Sequence, residues 1–163
     1  MMEKERIEIG MADFRVGDAS KVLVTRGLGS CVGIVIYDPQ KKLGALAHAM
    51  LPSQELAKFK SNPAKFVDSV VPLMIEKLKE RGAYLKNLEA KLFGGAHMFS
   101  SIPEGSAFSV GKRNVEAARK ILNSYGIKII AEDVGENYGR SIFFDVETGK
   151  VKVKSIFFGE KEL

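Results

Sequence analysis

The sequence contains a single cysteine, Cys31, among 163 residues, together with two histidines and no tryptophan. One thiol cannot form a disulfide within the chain. One cysteine and two histidines also show no spacing typical of a metal site, so a metal or another cofactor is not expected. The composition therefore excludes a disulfide scaffold and leaves packing or reactivity as reasons for the thiol.

Long hydrophobic runs are absent as well. No apolar stretch approaches the roughly 20 residues that span a bilayer. The N-terminal residues 1–6 are mostly charged and lack the apolar core of a signal peptide. The free thiol and the missing membrane signals predict a cytoplasmic location with no direct membrane insertion.

Neither positively nor negatively charged residues dominate any long segment of the chain. The chain has 25 Lys and Arg against 20 Asp and Glu, a net charge of +5, with modest clusters at residues 41–42 and 150–154. Scattered lysines favour solvated faces over a nucleic-acid surface, and a mild attraction to an acidic protein surface is the favoured use. Gly94-Gly95 lacks the lysine of a phosphate-binding loop, and no GxGxxG opens a helix.

Apolar patterning predicts one α/β domain, residues 1–163, with two main helices and a mixed, largely antiparallel sheet. One helical stripe runs from Val67 to Leu78 and the other from about Lys112 to Tyr125. Two glycine-rich loops are expected, at residues 93–111 and 135–140. The short apolar runs that predict strands are residues 7–11, 22–25, 31–37, 43–50, 88–93, 127–132, 141–145 and 151–157.

Cys31 and His48 lie on two of these predicted strands. The turn chemistry of residues 38–41 predicts a hairpin centred on Pro39-Gln40, in which facing residue numbers sum to 79. In that register Cys31 faces His48, with Cβ atoms roughly 5 Å apart. A slip of one residue would place them on opposite faces of the sheet.

These residue types suit thiol catalysis. An imidazole beside a cysteine takes the thiol proton and gives a thiolate–imidazolium pair, so Cys31 is the candidate nucleophile and His48 the candidate base. Backbone N–H groups around Gly29 and Ser30 are candidates for an oxyanion hole. Ser30 and Thr25 both carry an oxygen that could orient the base.

The same residues also have ordinary structural explanations. Cys31 could be a small buried hydrophobe and His48 a hydrogen-bonded core histidine. His97, the second histidine, lies on a glycine loop beside Met98, where it could line the site or serve as a plain loop residue.

Several motifs occur in a characteristic order along the chain, at residues 27–31, 46–52, 91–96 with 98–99, 111–115, 132–135, 139–140 and 148–151. This ordered set resembles the CheD family, the chemoreceptor glutamine deamidases of bacterial and archaeal chemotaxis, and the resemblance covers residues 18–155. The family often shows two adjacent glycines after an acidic strand end, where this chain has Gly135-Glu136.

This resemblance implies a cofactor-free amidohydrolase that converts receptor glutamines to glutamate and also hydrolyses glutamyl methyl esters. It implies that Cys31 is the nucleophile, His48 the base and Thr25 the third member of the triad. A three-layer fold like the catalytic domain of cytotoxic necrotizing factor toxins is implied too. The implied partners are methyl-accepting chemoreceptors and the CheC-type phosphatase. The alternatives are a non-catalytic adaptor and a thiol amidase or esterase acting on small molecules.

Overall fold

The computed structural model describes residues 3–56, 62–98 and 109–163. Within these ranges the chain forms two five-stranded sheets and two α-helices. The helices are α1 (Val67–Glu80) and α2 (Val110–Ser124), and short 3-10 turns lie at Gln54–Leu56, Pro63–Lys65 and Leu85–Asn87. The strands are β1 (Glu5–Glu8), β2 (Asp13–Gly17), β3 (Lys21–Leu28), β4 (Val32–Asp38), β5 (Leu43–Ala49), β6 (Glu89–Gly94), β7 (Lys128–Val134), β8 (Arg140–Asp145), β9 (Val151–Ser155) and β10 (Gly159–Glu162).

The strands divide between two sheets. The outer sheet has the order β1-β3-β8-β9-β10, and the helix-covered sheet has the order β2-β5-β4-β6-β7. The pairs β1–β3 and β6–β7 are parallel, and the other neighbours are antiparallel. The predicted α/β class, with largely antiparallel strands and two main helices, is confirmed.

Side-chain alternation along β4 shows how the layers stack. Ile34 and Ile36 belong to the apolar cluster shared with α1 and α2. Val35 and Tyr37 point the other way, into the cluster between the two sheets. Because both faces are covered, every residue of β4 and β5 is buried, which explains their continuous apolar sequences. The three layers are thus the helices, the helix-covered sheet and the outer sheet.

Both predicted helices are present at the expected positions. The buried residues of α1 follow the apolar stripe that predicted it. Beyond α1 and α2, Gly82 and Gly126 adopt positive φ angles of 109° and 71°, a backbone conformation that favours glycine after a helix. The predicted hairpin between the last two apolar runs is confirmed as β8–β9.

Two strands, β2 and β10, were not predicted. All four residues of β10 are exposed and three of them are charged, so no apolar alternation marks this edge strand. Strand β2 is an edge strand of only five residues, with a single fully buried position. The glycine-rich loop predicted at residues 93–111 is described over residues 93–98 and 109–111, and Phe99 and Phe108 lie outside the described residues.

The predicted register of the β4–β5 hairpin was wrong by two residues. Gly33, not Cys31, pairs with His48, and facing numbers sum to 81. The connection is a four-residue loop because the buried Asp38 carboxylate accepts the N–H groups of Gln40 and Lys41, at 3.0 and 3.1 Å. Lys42 completes the loop with a positive φ of 51°.

No helix in the described ranges has both the length and the apolar character needed to cross a lipid bilayer.

Candidate active site

Thr25 and His48 meet at the interface between the two sheets. Thr25 lies on β3 of the outer sheet, and His48 lies on β5 of the helix-covered sheet. Both side chains are buried, and the Thr25 Oγ1 atom is 2.7 Å from His48 Nδ1. The hydrogen bond therefore crosses from one sheet to the other.

The Thr25 hydroxyl determines which nitrogen of His48 carries the proton. Its Oγ1–H donates to the carbonyl oxygen of Ile9 at 2.7 Å. A hydroxyl has one proton to donate, so toward His48 it acts as an acceptor and Nδ1–H is the donor. In the neutral imidazole, Nε2 then carries the free lone pair. Nε2 is buried and has no hydrogen-bond partner within the described residues.

A β-bulge after Thr25 redirects the chain toward Cys31. Thr25 pairs with Ile142 and Leu28 with Arg140, so β3 contains one extra residue between these two pairs. Gly27, inside the bulge, has a φ of 69°, which a residue with a side chain rarely adopts. The bulge turns the backbone out of β3 and into the segment 29–31, called here the nucleophile loop.

All three carbonyl groups of the nucleophile loop are held by hydrogen bonds. Beside it, Gly94 has a φ of 89°, and a Cβ atom there would lie only 2.5 Å from the Cys31 carbonyl oxygen. The close approach of the two backbones therefore requires glycine. The donors are the N–H of Ala96 to the Gly29 oxygen (2.8 Å), the side-chain amide of Asn114 to the Ser30 oxygen (2.9 Å) and the N–H of Gly95 to the Cys31 oxygen (2.8 Å).

Cys31 lies in a bend immediately before β4 and is half-buried. Its side chain packs against the cluster between the sheets, the cluster that also contains Leu46. His48 is two residues beyond Leu46 on the same strand and therefore shares that face. Cys31 and His48 thus lie on one side of the helix-covered sheet, but in a diagonal relation instead of directly opposite each other.

Burial shifts the pKa values of the two candidate catalytic groups in opposite directions. It raises the pKa of the Cys31 thiol, and the N–H of the same residue opposes this effect only in part. Burial also lowers the pKa of His48. Both shifts favour the uncharged form, so the surroundings support a neutral thiol and a neutral imidazole instead of the thiolate–imidazolium pair expected from the sequence.

The other predicted site residues lie near Thr25, Cys31 and His48. Gly29 and Ser30 form the nucleophile loop with Cys31, and the half-exposed Met98 side chain packs against Gly29. The backbone N–H of His97 donates to the carbonyl of Glu136 at 2.8 Å.

Asn114 was missed as a functional candidate in the sequence analysis. It is fully buried and contacts the nucleophile loop through its side chain. The available signal was an amide side chain on the apolar stripe of α2, next to Val115.

Within the described ranges, no group of three His, Cys, Asp or Glu side chains is arranged to hold a metal ion.

The model of a family described as CheD chemotactic sensory transduction matches residues 50–155. Chains called probable chemoreceptor glutamine deamidase CheD match over almost the full length. The protein of Clostridium novyi is 44% identical over 97% of this chain and 98% of its own. This chain belongs to the CheD family.

Two further CheD relatives also match over almost the whole chain. The protein of Caldanaerobacter subterraneus subsp. tengcongensis is 46% identical over 98% of this chain and 99% of its own. The protein of Thermococcus kodakarensis is 43% identical over 94% of this chain and 95% of its own. The family-model match begins after Thr25, Cys31 and His48, whereas these full-length relatives extend over most of the chain.

Among solved structures, a Neisseria meningitidis protein aligns with a TM-score of 0.48 and 12% identity. That alignment covers 81% of this CheD-family chain and 63% of the other protein.

Proposed function

We propose that this chain is a protein-glutamine deamidase in which Cys31 is the nucleophile, His48 the base and Thr25 the group that orients the base. The observation that carries the proposal is the bond between Thr25 and His48 Nδ1, which leaves Nε2 unprotonated and without a partner among the described residues. The Nε2 lone pair is free to accept the thiol proton on the face where Cys31 packs. Membership of a family whose relatives are named chemoreceptor glutamine deamidases supports the choice of substrate.

The reaction proceeds through an acyl-enzyme. Cys31 Sγ attacks the side-chain carbonyl carbon of a substrate glutamine while His48 Nε2 takes the thiol proton. Backbone N–H groups of the nucleophile loop receive the oxyanion. His48 then gives its proton to the leaving ammonia, and a thioester remains. Water, deprotonated by His48, hydrolyses the thioester, which releases glutamate and restores the thiol.

The neutral resting pair fits this sequence of steps. Because burial opposes charge on both groups, the proton moves from Cys31 to His48 as the substrate carbonyl is attacked. The same chemistry extends to glutamyl methyl esters, from which methanol leaves in place of ammonia.

The proposed substrate is the cytoplasmic helical region of a methyl-accepting chemoreceptor, and the proposed second partner is a CheC-type phosphatase. We place the protein in the cytoplasm as one catalytic domain spanning residues 1–163. An exposed apolar side chain, Met98, lies beside the nucleophile loop, which suits contact with another protein.

The decisive experiment incubates the purified chain with a purified chemoreceptor cytoplasmic domain and follows glutamine peptides by mass spectrometry. Conversion of glutamine to glutamate adds about 1 Da, because NH₂ is replaced by OH, and releases one ammonia per site. Cys31→Ala and His48→Gln should abolish this conversion without unfolding the chain. His97→Gln, which changes the other histidine, is the control and should remain active.

Retained conversion in Cys31→Ala would refute the assignment of the nucleophile. The alternative, a non-catalytic adaptor of the phosphatase, predicts a different pattern. An adaptor would bind a CheC-type phosphatase equally well as wild type and as Cys31→Ala, and neither protein would change the mass of the receptor peptides.

A further inference from the structure

Asn114 links the two segments that carry the candidate nucleophile and base. From α2 its Nδ2 atom donates to the carbonyl oxygens of Ser30 at 2.9 Å and Met50 at 3.0 Å. Ser30 immediately precedes Cys31, and Met50 follows the strand that carries His48. One fully buried side-chain amide thus uses both of its protons on the two sides of the site.

The bond to Ser30 also fixes where the Cys31 N–H points. The peptide between these residues is trans, so its C=O and its N–H point in opposite directions. With the Ser30 oxygen held toward α2, the Cys31 N–H is directed away from the helix. Within the described residues this N–H donates no hydrogen bond to another residue.

The Cys31 N–H also opposes the burial-induced rise in the pKa of its own thiol. This donor therefore lies close to the sulfur that would attack the substrate carbonyl.

We propose that Asn114 is a positioning residue that holds the Ser30–Cys31 peptide in the orientation in which the Cys31 N–H receives the oxyanion. The proposal rests on the deamidase function proposed above. It deepens that function by assigning the oxyanion donor and the side chain that aims it.

The buried oxygen of the Asn114 amide, unpaired among the described residues, argues against a purely structural role. Its Oδ1 atom is buried without a hydrogen-bond partner in the described part of the chain, which is unfavourable. The neighbouring buried positions of α2, Val115 and Ala118, are apolar. Packing alone would be served by an apolar residue at position 114 as well, so the amide is explained by the two carbonyls that it holds.

The other two carbonyls of the nucleophile loop are held independently of Asn114. The Gly29 and Cys31 oxygens accept from the backbone N–H groups of Ala96 and Gly95, so these bonds do not depend on the Asn114 side chain. Only the Ser30 carbonyl depends on a side chain, so its peptide is the one that a substitution at Asn114 would release.

The test compares wild type with Asn114→Leu, which keeps the approximate volume and removes both donors. With receptor glutamine as substrate we expect kcat to fall about 10²- to 10³-fold, the usual loss for one oxyanion donor, with KM nearly unchanged. The pH profile of Cys31 alkylation by iodoacetamide should also move to higher pH, because the N–H no longer stabilises the thiolate. Leu122→Ala, a buried change two turns along α2, is the control and should reduce stability while leaving kcat and the alkylation profile unchanged.

A second variant, Asn114→Ser, covers the case in which leucine prevents folding, because the smaller side chain is too short to reach both carbonyls. A folded variant with wild-type kcat and a wild-type alkylation profile would overturn the proposal. An equal fall of kcat in Leu122→Ala would also overturn it, because the effect would then be general loss of packing. If wild type itself shows no deamidation, the proposed function fails, whereas the alkylation profile still tests the role of Asn114.

Discussion

At the scale of single residues, Thr25 has the proposed role of orienting the base without contacting the substrate. Its one hydroxyl satisfies two buried groups, the Ile9 carbonyl and His48 Nδ1. This double use sets the tautomer of the imidazole, because a hydroxyl whose proton is already donated can only accept from the ring. A threonine can therefore fill the orienting role that a carboxylate fills in many triads, without placing a second charge in a buried site.

Thr25→Val removes this oxygen with little change in shape. His48 Nδ1 and the Ile9 carbonyl both lose their partner, so we expect a loss of about 1–3 kcal/mol in the free energy of unfolding. The tautomer is no longer fixed, and kcat for glutamine deamidation should fall about 10²-fold. Urea denaturation and the mass-spectrometric assay measure the two effects. Thr25→Ser keeps the hydroxyl and should stay near wild type in both; equal activity of the valine and serine variants would contradict the assignment.

The buried His48 also makes stability depend on pH. Burial lowers its pKa in the folded state below the unfolded value of 6.5, so between the two values the unfolded chain binds more protons. The contribution of His48 is therefore complete above pH 6.5 and decreases as the pH falls below that value. Urea denaturation at about pH 7.5 and about pH 5.5 should show a loss of stability that is smaller in His48→Gln. An identical pH dependence in both proteins would contradict the proposed burial of a neutral imidazole.

Glu136 is a residue in a backbone conformation that suits glycine. Its φ is 60°, in the left-handed region, and it follows Gly135, whose φ is 81°. This is the position at which the CheD resemblance predicts a second glycine. Glu136→Gly should stabilise the fold by about 0.5–1 kcal/mol, since relief of left-handed strain exceeds the entropy cost of glycine. Thermal unfolding measures the gain, and a lower melting temperature than wild type would contradict it.

At the scale of elements, the sequence predicts those that carry a strong apolar period. The helices α1 and α2 and seven of the strands could be predicted because each buries one face at least in part. The eighth predicted strand, β1, has only Ile7 partly buried. The edge strands β2 and β10 could not be predicted, because their partners supply the hydrogen bonds while most of their side chains remain in solvent. The division into two sheets could not be predicted from the sequence either. A strand shows the same alternation of apolar residues whether its buried face packs against helices or against another sheet.

The β4–β5 hairpin shows how much of the candidate site could be predicted from the sequence. The prediction that Cys31 and His48 share a face survives, because the register error was two residues and the side-chain period of a strand is also two. The loop length could not be read from the turn residues alone. It depends on Asp38, whose carboxylate also accepts the N–H of Tyr84 at 3.0 Å, a contact 46 residues away along the chain.

At the scale of the whole molecule, the candidate site is assembled from both sheets and a helix. Thr25 comes from the outer sheet, His48 from the helix-covered sheet and Asn114 from α2. The geometry of the site therefore depends on the distance between the sheets, which is set by the packing of their inner faces. No single element contains the site, and this is why sequence reasoning could name Thr25 and His48 but neither Asn114 nor the arrangement of the three residues.

Gly44→Ala tests whether the spacing of the sheets controls the site from a distance. Gly44 lies on β5, four residues before His48, and a Cβ atom there would come within 2.5 Å of the Phe144 ring on the outer sheet. The ring or the sheet has to move, which should cost about 1–3 kcal/mol in the free energy of unfolding. A displaced sheet lengthens the bond between Thr25 and His48, so kcat should fall about 10- to 100-fold.

Gly10→Ala is the matched control, because a Cβ atom at Gly10 meets nothing within 4 Å. It should leave both stability and kcat near wild type. If Gly44→Ala is destabilised but deamidates glutamine at the wild-type rate, strain at that end of the sheets is absorbed locally by the Phe144 ring. Thr25 and His48 would then be held by their own bulge and strand contacts, and the spacing of the two sheets would not govern catalysis.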